Sequence, residues 1–137
     1  MSRDGSLASC WRNGGKARFA PLRLQIRPGK YREPDVLLVL SAADPRRQDR
    51  FWKGADLAVE VVSPDKPERD LVQKPGDYAE GGVREYGIVN PIDQTIRVLR
   101  LEREAYVEAG AYGRGDAAAS VLLSAFAVDV NAVFGAE

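Results

Sequence analysis

The sequence contains no histidine and a single cysteine, Cys10, among its 137 residues. Without histidine there is no Ser-His-Asp or Cys-His catalysis, no H-E-x-x-H metalloprotease helix and no histidine-dependent nuclease chemistry. One cysteine excludes an internal disulfide and a cysteine-built zinc site, and it makes a cytoplasmic protein the expectation. Neither G-x-x-x-x-G-K nor G-x-G-x-x-G occurs, so the common phosphate-cradling loops are missing. No apolar run approaches the ~18 residues that span a bilayer, and "MSRDGSLASCW" lacks the apolar core of a signal peptide. Chemistry is left to carboxylates, lysine, hydroxyls and a metal held by oxygen.

What is present suits one soluble globular domain, with 45% hydrophobic and 29% charged residues. Formal net charge is zero, but it is unevenly spread. Residues 1–54 carry twelve Lys+Arg against five Asp+Glu, a balance of +7, and residues 55–137 carry eight against fifteen, a balance of −7. The densest basic stretch is "DPRRQDRFWK", where Arg46, Arg47, Arg50 and Lys53 interleave with Phe51 and Trp52. Such a patch suits an anionic polymer. A solvated loop is the plainer reading and the one that this signal alone favours.

The first eighteen residues show no periodicity and read as a frayed or disordered start, leaving 19–137 as the folded unit. "FAPLRLQI" alternates Leu22, Leu24 and Ile26 with polar residues, as a half-buried strand does, and "RPGKYREP" reads as a turn. "DVLLVL" (35–40) is continuously apolar, as befits a strand near a sheet centre, and 41–55 reads as polar loop. "DLAVEVV" is a second central strand. Residues 68–80 suit a helix, except that Pro75 must either kink it or lie in the first turn of a helix that starts later. "GGV" ends that helix, "EYGIVN" is a strand, and "TIRVLRL" pairs with "AYVEA" as a hairpin. Strands, one helix, then more strands predict an α/β or α+β domain: a mixed sheet with helical cover.

Within this pattern Glu60 is out of place. Leu57, Val59 and Val61 occupy one face of their strand, while Ala58 and Val62 make the other face almost as apolar around it. An unpartnered carboxylate there costs several kcal/mol, roughly, or takes up a proton. Asp35 opens the preceding apolar strand directly after Pro34, and Lys74 lies on the following helix. Gathered together, two carboxylates and a lysine form a minimal site for metal-assisted phosphodiester hydrolysis. The carboxylates hold Mg²⁺, bound water becomes more acidic, and the lysine orients hydroxide or stabilises developing charge. Each residue alone has a plainer reading: Asp35 as a turn or cap residue, Glu60 as an arginine partner or on a wet edge, Lys74 in solvent. The carboxylates could also simply pair with basic residues of the 23–53 segment.

The blocks "EPDVLLV", "DLAVEVVSP", "RDLVQKPGDYAEGGVREYGIVNP" and "RVLRL…YVEAGAYGRGDAAAS" resemble, in order and spacing, the Uma-type family of endonucleases. That family belongs to the PD-(D/E)XK superfamily, and the resemblance runs from about residue 19 to the end. It implies a restriction-endonuclease-like fold and Mg²⁺-dependent (or Mn²⁺-dependent) cleavage of nucleic acid, most naturally DNA. The motif aspartate matches Asp35 and the motif glutamate Glu60. The usual lysine position is Val62, and the resemblance implies an amine displaced to Lys74. The backbone carbonyl of Val61 is implied as a third metal ligand, and Ser63 and Tyr78 as pocket residues; the basic stretch Arg46, Arg47, Arg50 and Lys53, read from composition, would then be the candidate nucleic-acid contact. A homodimer follows by analogy with nucleases that cut both strands. The chain departs from the family in a short N-terminal part without the expected helix, in Gly87 after the tyrosine of "EYG", and in Pro75 beside Lys74. These departures leave a second expectation, a catalytically impaired nuclease fold that binds or regulates.

Overall fold

The computed structural model describes residues 16–19, 23–41, 43–48, 50–63, 65, 71, 73–123 and 127–135. Their elements are β1 (Lys16–Phe19), β2 (Arg23–Arg27), β3 (Lys30–Arg32), β4 (Val36–Val39), β5 (Phe51–Trp52) and β6 (Leu57–Val61). After these come α1 (Lys74–Glu80), β7 (Glu85–Asn90), β8 (Thr95–Glu102), β9 (Ala105–Tyr112), β10 (Ala117–Ala119), β11 (Ala127–Asp129) and α2 (Val130–Phe134). Six strands form one mixed sheet in the order β1-β4-β6-β7-β8-β9. All its neighbours are antiparallel except β6 and β7. That parallel pair is what requires a crossover, and the crossover carries α1. A second sheet, β3-β2-β5, and the pair β10-β11 complete the fold.

The two faces of the large sheet pack differently. Leu37, Val39, Ala58, Val62, Tyr86, Ile88 and Leu99 point to one side and bury against Tyr78 of α1, Leu24 and Ile26 of β2, and Trp52 of β5. Fully burying such a side chain is worth about 1.5–3 kcal/mol, so this face holds most of the stabilisation. Tyr78, Tyr86 and Tyr106 continue as an aromatic row, with centroids 4.8 Å and 5.7 Å apart. On the opposite face Leu38 and Leu57 meet Leu123, while Ile96 packs with Ala118 and Val130.

The α+β expectation holds, and the differences are local. Within the described residues α1 begins at Lys74 and Pro75 falls in its first turn, where its missing N–H is no loss; residues 68–70 and 72 of the expected helix lie outside the described residues. The helix ends as expected: the amides of Gly81, Gly82 and Val83 donate back to Asp77, Ala79 and Tyr78, with Gly82 at φ +75°. Two short strands were hidden. Lys30–Arg32 lies within the expected turn, and Phe51–Trp52 within the expected loop, drawn in by the burial of Trp52. The expected boundary at residue 19 is corrected as well, since β1 already pairs with β4 from Lys16; residues 1–15 lie outside the described residues.

Candidate active site

The register of the sheet brings two acids together. Val36 pairs with Val59 and Leu37 with Ala58 in the antiparallel β4–β6 ladder. The same register, extended one step, sets Asp35 opposite Glu60, and directly opposed residues of a ladder share a face. That face is the one covered by α1. Glu60 is 3% exposed. Asp35 is half-buried, and its Oδ2 accepts the Val61 amide at 2.6 Å. Asp35 therefore fastens the end of β6 while its charge stays beside Glu60.

The helix supplies the partners that the buried glutamate requires. Lys74 and Tyr78 are four residues apart, hence on one side of α1. The Tyr78 hydroxyl donates to Glu60 Oε2 at 2.5 Å, and Lys74 Nζ lies 3.3 Å from the same oxygen. Burial pushes the Glu60 carboxyl above its ordinary value. The Tyr78 hydrogen bond and the Lys74 charge and hydrogen bond pull it back, and the Asp35 charge raises it further. Burial, with the Glu60 charge and hydrogen bond, also holds the Tyr78 hydroxyl well above the usual phenol range. Tyr78 is thus a fixed neutral donor across the physiological range.

Three further interactions hold α1 where these contacts form. Asp77 accepts Lys30 Nζ at 2.7 Å and the Arg32 guanidinium at 2.8 Å and 2.5 Å, and Glu80 pairs with Arg27. Burial works against the Asp77 charge, but the bonds from Lys30 and Arg32 and their charges outweigh it and hold the carboxyl below the usual range. Ser63, just beyond β6, accepts the Asp65 amide at 3.3 Å. Val61 is 48% exposed, with its backbone beside Asp35.

The basic stretch lies at the far end of the sheet. Arg46 reaches Asp56 at 3.0 Å, and Asp56 precedes Glu60 by four residues, roughly 13 Å along the strand. Arg46 is also tied to Asp44, and Asp44 and Asp56 hold its charge firmly. Arg47, Arg50 and Lys53 are exposed there. A buried acid that the sequence reading passed over, Glu85, is 3% exposed and accepts from Ser120 Oγ (3.0 Å) and the amides of Val121 and Leu122 (both 2.8 Å). Its register partner is Leu57, so it lies on the face away from Glu60 and serves as an anchor. Among the described residues no group of three or more acids or cysteines gathers as a metal cage, so the candidate centre is a pair of carboxylates.

The family model described as "Uma2: Putative restriction endonuclease" matches residues 6–131. The chain belongs to the Uma2 family. A solved structure from Anabaena variabilis ATCC 29413, titled as a putative nuclease of DUF820, superposes on this Uma2 member with a TM-score of 0.69. The match covers 96% of this chain and 77% of that one at 18% identity, and establishes the restriction-endonuclease-like fold. No curated protein matches the sequence. No helix among the described residues of this Uma2 chain is long and apolar enough to cross a membrane.

Proposed function

We propose that this Uma2 protein is a metal-dependent endonuclease hydrolysing phosphodiester bonds of nucleic acid, with DNA as its substrate. The observation that carries this reading is the convergence of Asp35, Glu60 and Lys74 at one end of the sheet, with the amine 3.3 Å from the glutamate. Family membership and the neighbour's title point the same way. The donor set fits Mg²⁺ or Mn²⁺. Mg²⁺ is typically bound through one or two carboxylates and keeps several waters, and a strand residue's C=O projects to the same side as its N–H. Since the Val61 N–H meets Asp35, the Val61 carbonyl faces that side too and completes the set with Asp35 and Glu60.

When bound, such an ion acidifies a water and neutralises charge on the phosphate. Glu60 contributes a carboxylate whose charge Tyr78 and Lys74 favour against its burial. Asp35 adds the second negative charge and fixes the strand end. The Lys74 amine, 3.3 Å from Glu60, would orient the attacking water and stabilise charge on the phosphoryl oxygens. Ser63 and Tyr78 shape the surroundings, and Arg47, Arg50 and Lys53 meet only the outlying part of a long substrate.

Calorimetric titration with Mg²⁺ and Mn²⁺, paired with a plasmid-cleavage assay, tests this reading. Saturable binding lost in Glu60→Ala, with cleavage lost in Lys74→Ala, is the expected result. A second reading, a non-catalytic module, is favoured by the internal satisfaction of the charges: Asp35 is bonded to Val61, and Glu60 to Tyr78 and Lys74. Metal binding without cleavage by the wild type would decide for that module. Absence of metal binding would refute the metal-dependent reading.

A further inference from the structure

The β2–β3 hairpin, "RLQIRPGKYR", holds four cations and no acid. Helix α1 answers with two acids. Glu80 takes Arg27, which leaves Asp77 to serve both Lys30 and Arg32. One carboxylate cannot neutralise two cations, so this cluster keeps a net charge of +1. Both cations remain partly open, at 32% and 25% of their side-chain surface. The cluster is also close to the carboxylate pair. Asp77 follows Lys74 by three residues, a rise of about 4.5 Å on a helix. The Arg32 charge is felt at the Tyr78 hydroxyl, the group bonded to Glu60. Arg32 leads through Glu33 and Pro34 directly into Asp35.

We propose that Lys30 and Arg32 form a phosphate subsite that grips the sugar–phosphate backbone of a nucleic-acid strand entering the carboxylate pair, with Asp77 as the internal counter-ion. The proposal rests on the nuclease reading above and gives its substrate a track. Arginine offers a planar fork matched to phosphate, and lysine a mobile point charge. The pair thus suits the backbone of any sequence and reads no base. A phosphate arriving here shares the cations with Asp77 in the way that one carboxylate already shares two donors.

The test is equilibrium binding of a short fluorescein-labelled DNA duplex to the full chain, in EDTA, across a series of KCl concentrations. Each neutralised phosphate contributes about 0.9 to the slope of log K against log[salt] for duplex DNA. Lys30→Gln and Arg32→Gln should each lower that slope by about 0.9 and weaken binding. Asp77→Asn, which frees both cations, should tighten binding at low salt. Arg100→Ala, on the opposite face, should leave the slope unchanged. Should a variant fail to fold, acetylation of wild-type Lys30 with and without DNA supplies the answer, since bound DNA must protect its amine. Unchanged slopes in the folded variants, or an unprotected Lys30, overturn the subsite. A wild type that cleaves while the variants keep the full slope removes the subsite alone. One that binds through Lys30 and Arg32 but never cleaves removes hydrolysis alone, and one that does not bind DNA removes both.

Discussion

Replacing Tyr78 by phenylalanine isolates one hydrogen bond at the candidate centre, and its cost should depend on pH. The ring stays in its place against Tyr86, whose centroid is 4.8 Å away, so only the donor to Glu60 is lost. A hydrogen bond to a charged group is worth about 2 kcal/mol and one between neutral groups about 1 kcal/mol. The difference, about 1 kcal/mol, raises the folded-state pKa of Glu60 further. Burial already holds that pKa above the ordinary 4.5. For a carboxyl raised on folding, the contribution to stability is fully present below the unfolded pKa and is lost as pH rises through the folded one. The Tyr78→Phe substitution moves that loss to higher pH and makes it larger. Urea unfolding followed by the fluorescence of buried Trp52 should therefore show a penalty for Tyr78→Phe of about 1 kcal/mol below pH 4.5, rising to about 2 kcal/mol once the pH passes the raised folded-state value of Glu60. A penalty equal at both ends of the range, or none, would refute the claim that the tyrosine serves an ionised glutamate.

Other substitutions test the frame. Glu85→Ala removes the acceptor of three donors from a buried position, and chemical denaturation should register a loss of roughly 3 kcal/mol. At Gly87 an added Cβ meets Val59 Cγ2 at 3.4 Å, ordinary contact; Gly87→Ala should raise stability by about 0.5–1 kcal/mol, visible as a higher Tm. Arg103 stands at φ 60° as the first residue of the two-residue β8–β9 turn. Arg103→Gly should relieve about 1 kcal/mol there, measured by the same unfolding curves.

How much the sequence disclosed depends on where each signal resides. The alternation in "DLAVEVV" placed Glu60 among Ala58 and Val62, and in the fold those three share the face beneath α1. Its side-chain partners were less visible, because a tyrosine in a helical stretch reads as core. The clue available was the four-residue interval between Lys74 and Tyr78, which puts amine and hydroxyl on one side of the helix. β3 and β5 were missed since two or three residues carry no period, and both are defined by their pairing with β2. The role of Glu85 was beyond local pattern altogether: the donors come from 35 to 37 residues away. The place of the basic stretch at 46–53 was not legible in composition, since charge counts do not say at which end of a sheet a loop lies. The resemblance to the endonuclease family supplied what periodicity lacked, namely that residues 35, 60 and 74 belong together.

Helix α1 has seven residues, fewer than the ~12–15 that a helix needs to persist unaided in water. The acids of the candidate centre are held by the middle of a six-stranded sheet, while the amine and the phenol ride on this short segment. Transient opening should therefore detach the helix well before the strands part. Amide hydrogen exchange would then run faster across 76–80 than across 57–61, with the centre dismantled in molecules whose sheet is still whole.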